Sequence, residues 1–125
     1  MRLLTYHLGR ILFAVPFLMF GLNHFMYAKM MAGLVPNWVP GGISWIYITG
    51  AFEIIGALSI ITKVQARLVC FLLAVLLLVY ILVLDFPGLG AADQSVKMVS
   101  MISLFKNIGL LGAALFFAGE LGKKG

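Results

Sequence analysis

Charged side chains are scarce in this chain. Lys, Arg, Asp and Glu make up 10% of its 125 residues, where a soluble domain carries about a quarter. So few charges cannot coat a globular surface with groups that water solvates. The apolar excess has to face another solvent, and lipid is the one that fits. Cysteine is nearly absent: Cys70 stands alone inside an apolar run. A single cysteine excludes an internal disulfide, a C-x-x-C redox pair and a four-cysteine metal site, and leaves a buried structural thiol. Phosphate loops, zinc-ligand spacings and nucleophile elbows are missing. His7 and His24 are too far apart in the chain to argue for haem or a metal, so no metal is expected. The apolar segments do not alternate, which excludes β-barrel spans. Acidic residues are outnumbered four to nine, for a net charge of +5. A basic balance raises nucleic acid as a partner, but the Lys and Arg are scattered singly or in pairs and form no basic face. They are read as topology signals instead.

What the chain has in abundance is apolar length. It is 63% hydrophobic, with a mean hydropathy of +1.12. Four continuous apolar segments, approximately 8–27, 43–61, 68–86 and 98–118, each match the roughly 20 residues a transmembrane helix needs. The expected fold is all-α: one integral membrane domain over residues 1–125, a four-helix bundle running up-down-up-down. Between the first two spans, Val35-Pro36-Asn37-Trp38-Val39-Pro40-Gly41-Gly42 breaks any helix. Trp38 and Trp45 flank the break like an interfacial aromatic belt. The link Thr62-Lys63-Val64-Gln65-Ala66-Arg67 is short enough to make spans two and three antiparallel neighbours. Pro87-Gly88 ends the third span, a polar loop covers 89–97, and a basic tail closes the chain.

Arg2 and Arg10 ahead of an apolar stretch have the form of a signal peptide. Pro16, Asn23 and His24 interrupt that stretch and no small-x-small cleavage site follows, so a retained first span is expected. Arg2, Arg10, Lys63, Arg67, Lys123 and Lys124 fall on one side of a four-span layout, Lys29 and Lys97 on the other. This bias puts both termini in the cytoplasm. Small residues recur in the second span (Gly50, Ala51, Gly56, Ala57) and the fourth (Gly109, Gly112, Ala113, Ala114). They allow close helix packing, within one bundle or between protomers of a homo-oligomer.

The few polar residues inside the spans carry the functional reading. An ionisable group in hydrocarbon costs at least about 2.5 kcal/mol at the bilayer centre and tends to face a bundle interior or cavity. Glu53 falls midway along the second span, Asn23 and His24 near the outer end of the first, Asp85 near the outer end of the third, and Lys106 and Asn107 in the outer half of the fourth. The inner half carries little beyond Ser59 and Thr62. His24, Asp85 and Lys106 can snorkel to the interface, but Glu53 is too short to do so and must be neutral or paired, with Asn23, Tyr27 or Lys106 as candidate partners. The one-sided placement points to an outward-opening pocket lined by Asn23, His24, Glu53, Asp85, Lys106 and Asn107, with Trp38, Trp45, Pro36 and Pro40 at its rim.

Gly21-Leu22-Asn23-His24-Phe25, then Val35 to Pro40, then Trp45 through Thr49-Gly50-Ala51-Phe52-Glu53, resembles the DoxX-like family of small bacterial membrane proteins. That family shows Gly-x-x-His-Phe at the end of helix one, a Pro-x-x-x-Pro loop and Gly-x-x-Glu in helix two. The resemblance implies a location in the bacterial cytoplasmic (inner) membrane and marks His24, Pro36, Pro40, Gly50 and Glu53. It also implies a link to sulfur or thiol redox metabolism, as in subunits of thiosulfate:quinone oxidoreductase. With no cysteine pair and no flavin or metal motif, a quinone- or small-molecule-binding role beside other membrane redox subunits fits better than catalysis of its own. The alternative is a structural or assembly subunit without a ligand, its polar residues acting as glue and Gly50, Gly56, Gly109 and Gly112 as contact faces. A small transporter is a third reading.

Overall fold

The structure, a computed structural model, describes residues 2–33 and 37–123. Among them no strand occurs. The elements are α1 (Arg2–Met26), α2 (Ala28–Ala32), α3 (Ile43–Thr62), α4 (Ala66–Tyr80), a π turn (Ile81–Asp85), α5 (Phe86–Leu89) and α6 (Gln94–Lys123). With α4, the π turn and α5 taken as one rod, four of the described helices are long and apolar enough to cross a membrane. Much of their outer surface is Leu, Ile, Val, Met and Phe, including Ile55, Val75 and Phe105, which suits contact with lipid tails. The chain is a helical, multi-pass membrane protein.

Three of the four helices outrun the apolar segments that announce them. α1 starts at Arg2 rather than Leu8, because hydrogen bonding continues into the polar interface where hydropathy has already fallen. α6 likewise starts at Gln94, inside the stretch expected as a loop. There the Asp93 carboxylate accepts the Ser95 backbone N–H at 2.8 Å, as an N-cap does. The third rod passes through Pro87 to Leu89 instead of stopping before it. Pro87 has no N–H to give to the preceding turn, and the chain widens there: Phe86 N–H donates to Ile81 O, five residues back. Pro87 then sits in the first turn of α5, where a missing N–H is tolerated.

The turns follow from backbone chemistry. Gly41 and Gly42 hold φ of +95° and +46° ahead of α3. In the tight α3–α4 turn, Lys63 and Gln65 both take left-handed backbone, at φ of 67° and 52°.

The long helices are antiparallel in sequence order. Arg10 of α1 meets the end of α3, while His24 meets its middle. Phe13 of α1 stacks on Phe117 of α6 with ring centroids 5.2 Å apart, and Lys106 of α6 lies over the Phe20 ring. Gly56 of α3 packs on Val69 and Leu73 of α4. Gly50 and Gly56 thus stand at helix contacts, whereas Gly109 and Gly112 have nothing within 4 Å of where a Cβ would be and face away from the chain.

The bundle is packed unevenly along its length. Its buried apolar cluster joins Phe13 and Phe17, Ala57 and Ile60, Ala66 to Leu77, and Ala114 to Leu121. Most of these lie toward the end that holds the chain termini, and Leu77 is shared with the cavity beyond. Among the described residues, one buried charge belongs to that half. Arg10, expected as a charge at the membrane edge, is buried inside α1. Its guanidinium donates to Ile60 O at 2.5 Å and Ile61 O at 2.7 Å. These carbonyls belong to the last turn of α3, which has no intrahelical donors for them, and a long stem lets the cation reach them. That half is therefore more polar than Ser59 and Thr62 alone imply.

Candidate functional site

The opposite half of the bundle encloses a cavity of about 770 Å³, within the size range of small-molecule sites. Phe20, Asn23 and His24 come to it from α1, Trp45 to Glu53 from α3, Leu72 to Tyr80 from α4, Asp85 from the π turn, and Ser103, Lys106 and Asn107 from α6. Met31, Trp38 and Val39 of the α1–α3 link also line it.

One polar group is built around Glu53, whose side chain is fully buried at 1% exposure. Local helix geometry orients its neighbour: His24 Nδ1 lies 2.6 Å from Phe20 O, one turn back in α1. That carbonyl accepts a hydrogen bond from Nδ1–H, and Nε2 is the ring atom turned to Glu53. Nε2 stands 3.4 Å from Glu53 Oε1. The Tyr80 hydroxyl, arriving from α4, is 3.4 Å from both Glu53 Oε1 and His24 Nε2, and Thr49 stands beside it. These three polar groups thus stand at separations on the loose edge of hydrogen bonding. An oxygen or nitrogen placed among them gains shorter bonds than they give one another.

A second polar group sits at the π turn. Asn107 Nδ2 donates to Asp85 Oδ2 at 2.9 Å and to Ser103 Oγ at 3.3 Å, and both Asp85 and Asn107 are buried. Lys106 projects at the cavity edge with its ammonium 4.3 Å from the Phe20 ring centroid, a cation–π contact. It is within electrostatic reach of Asp85 and Glu53.

All six residues expected to form the pocket, Asn23, His24, Glu53, Asp85, Lys106 and Asn107, line this cavity, as do Trp38 and Trp45. Pro40 stands behind the rim, where its carbonyl accepts the Trp45 indole N–H. Pro36 lies outside the described residues. His24 and Asp85 are buried and do not snorkel. Of the partners expected for Glu53, Lys106 acts at a distance, while Tyr27 is half exposed at the α1–α2 junction and does not line the cavity. Tyr80 is the hydrogen-bond donor to Glu53, and His24 Nε2 stands in polar contact at 3.4 Å. Sequence reasoning missed Tyr80. The one available signal was a phenol in the membrane interior, where no interface explains it. Among the described residues no cluster of His, Cys, Asp and Glu could hold a metal ion.

A family model described as Domain of unknown function (DUF8561) matches residues 13–100. The chain belongs to this family. No curated protein and no solved structure matches the chain. The family match takes in His24, Glu53, Tyr80 and Asp85 and stops inside α6, short of Lys106 and Asn107. The Glu53 group therefore falls wholly within the family region, while the second polar group crosses its boundary.

Proposed function

We propose that this protein is a small-molecule-binding subunit of the bacterial cytoplasmic membrane, with both termini inside and a quinone headgroup as the favoured ligand. The observation that carries the reading is the loose triad of His24, Glu53 and Tyr80 facing a 770 Å³ cavity. A quinone ring presents carbonyl acceptors at its two ends. Tyr80 O–H and Lys106 Nζ are donors for them, and Phe20, Phe52 and Trp45 are aromatic walls for the ring. The resemblance to the DoxX-like family supports a place in sulfur or thiol redox metabolism. Loop charge supports the orientation: with Arg10 set aside, Arg2, Lys63, Arg67, Lys123 and Lys124 still outnumber Lys29 and Lys97.

The test is quinone binding to the purified protein in nanodiscs. The wild type should bind, and Glu53→Gln and His24→Ala should each weaken binding at least about ten-fold, the worth of one good hydrogen bond. Equal binding by all three would remove the site. A structural or assembly subunit is the second reading, favoured by the Asp85–Asn107 bond, which ties the third rod to α6 without any ligand. Copurification from mild detergent separates the two: a stoichiometric protein partner with no bound small molecule supports the second.

A further inference from the structure

The cavity has a side as well as a floor. Leu72, Val75 and Val79 of α4 recur at i, i+3 and i+7, one face of the helix, and all three line the cavity. They are also exposed, at 44%, 59% and 45%. Lining the cavity does not by itself produce exposure, since Leu77 lines it at 2%. The stripe therefore borders the cavity and the bundle's lipid-facing exterior together. Across from it on α3 stand Thr49 and Phe52, both partly exposed. The α3 and α4 helices are held together near their shared turn, where Gly56 meets Val69 and Leu73. Toward the far end the space between them belongs to the cavity.

The wall from Leu72 to Leu84 rises about 18 Å at about 1.5 Å per residue, more than half of a hydrocarbon core roughly 30 Å thick. Apart from Tyr80, which turns its hydroxyl to Glu53 and His24, its cavity-lining side chains are aliphatic and have nothing to offer the polar parts of a ligand. Polar groups are gathered at Glu53 and at Asp85. The ionisable groups there are two acidic side chains, Glu53 and Asp85, one lysine, Lys106, and His24. Lys106 is already within reach of both acidic side chains. A phosphate or carboxylate head would bring a further acid to a group whose one lysine already serves two. A head that hydrogen-bonds without charge makes no such demand.

Taking the cavity as a ligand site, we infer that its ligand is a membrane lipid with a neutral, hydrogen-bonding head and a long apolar tail, which arrives sideways from the bilayer between α3 and α4. The head sits among His24, Glu53 and Tyr80, and the tail lies along the Leu72–Val75–Val79 stripe. The same chemistry describes a prenyl quinone and a long-chain alcohol, and it excludes a water-soluble metabolite.

Native mass spectrometry and titration in nanodiscs can test this with four probes: a benzoquinone with a long alkyl tail, the same ring without a tail, a long-chain alcohol and the matching fatty acid. The tailed quinone should bind at least about ten-fold tighter than the bare ring. Val75→Phe and Val79→Phe, at lipid-facing positions that accept a larger apolar side chain, should reduce this advantage so that the two quinones converge. The fatty acid should bind more weakly than any neutral tailed probe. If the alcohol matches the tailed quinone, the tail and a neutral head are the whole requirement; if it binds worse, the quinone is the source. Equal binding of the tailed and bare rings, unaffected by either valine variant, overturns the lateral route and leaves the cavity as a ligand site. Tight binding of the fatty acid overturns the neutral head. Binding by none of the probes overturns the inference together with the site itself.

Discussion

Gly50 makes room for His24: a Cβ at residue 50 would stand 2.6 Å from the His24 Cβ and 3.2 Å from Gly21 O. Two helices approach there through the absence of a side chain, and the imidazole is held against α3 one turn before Glu53. Gly50→Ala should therefore push α1 off α3. The expected cost is about 1–3 kcal/mol, as for overpacking, seen as a lower melting temperature in detergent, together with weaker ligand binding. Gly109→Ala is the control. It meets nothing within 4 Å and should be neutral or slightly stabilising, because Ala is the better helix former.

Arg10 should matter to stability and not to the ligand. Arg10→Leu strands the carbonyls of Ile60 and Ile61 in an apolar core, at a cost of about 1.5–3 kcal/mol for a charged hydrogen bond. Arg10→Lys should recover part of it, since one ammonium replaces a two-armed guanidinium. Thermal melts of the three proteins check the order wild type, Lys, Leu. Ligand affinity in the folded fraction should stay unchanged, because the residue lies at the other end of the bundle.

Asn107→Leu removes the donor from buried Asp85. An orphaned polar group of this kind costs about 1–3 kcal/mol. Adding Asp85→Leu to the same protein should return most of that loss, because an apolar pair needs no partner. Melting of the single and double variants is the measurement. A double variant no better than the single would show that Asp85 depends on other partners.

Tyr80→Phe keeps the ring and deletes the hydroxyl. The fold should hold, with a change in stability below about 1.5 kcal/mol, while the affinity for a tailed quinone should fall roughly ten-fold. Unchanged affinity would remove Tyr80 from the site.

Much of this molecule could be read without coordinates, for reasons specific to lipid. Hydropathy is a one-dimensional signal, so the four apolar runs were legible as helices from composition and length. A carboxyl group at the depth of Glu53 has few tolerable surroundings, which marked it and, with it, the cluster of His24, Asp85 and Asn107 in the same part of the bundle. What stayed hidden depended on facing and on hydrogen-bond register. Tyr80 reads as ordinary packing until its rotation about α4 is known. Arg10 looks like an edge charge until α3 is seen to end beside it. Gly109 and Gly112 resemble Gly50 and Gly56 as letters, and only the direction each one faces separates them.

The π turn at Ile81–Asp85 has a consequence for evolution and design. On a regular helix, residues five apart point about 140° away from each other, and Tyr80 and Asp85 would look out on different neighbours. The extra residue in the widened turn unwinds that angle, so both face one cavity. Chain length there works as a rotary setting. Deleting a single residue between 81 and 85 would conserve the apolar character of the rod yet swivel everything beyond it, uncoupling Asp85 from Asn107 while leaving the His24–Glu53–Tyr80 triad in place.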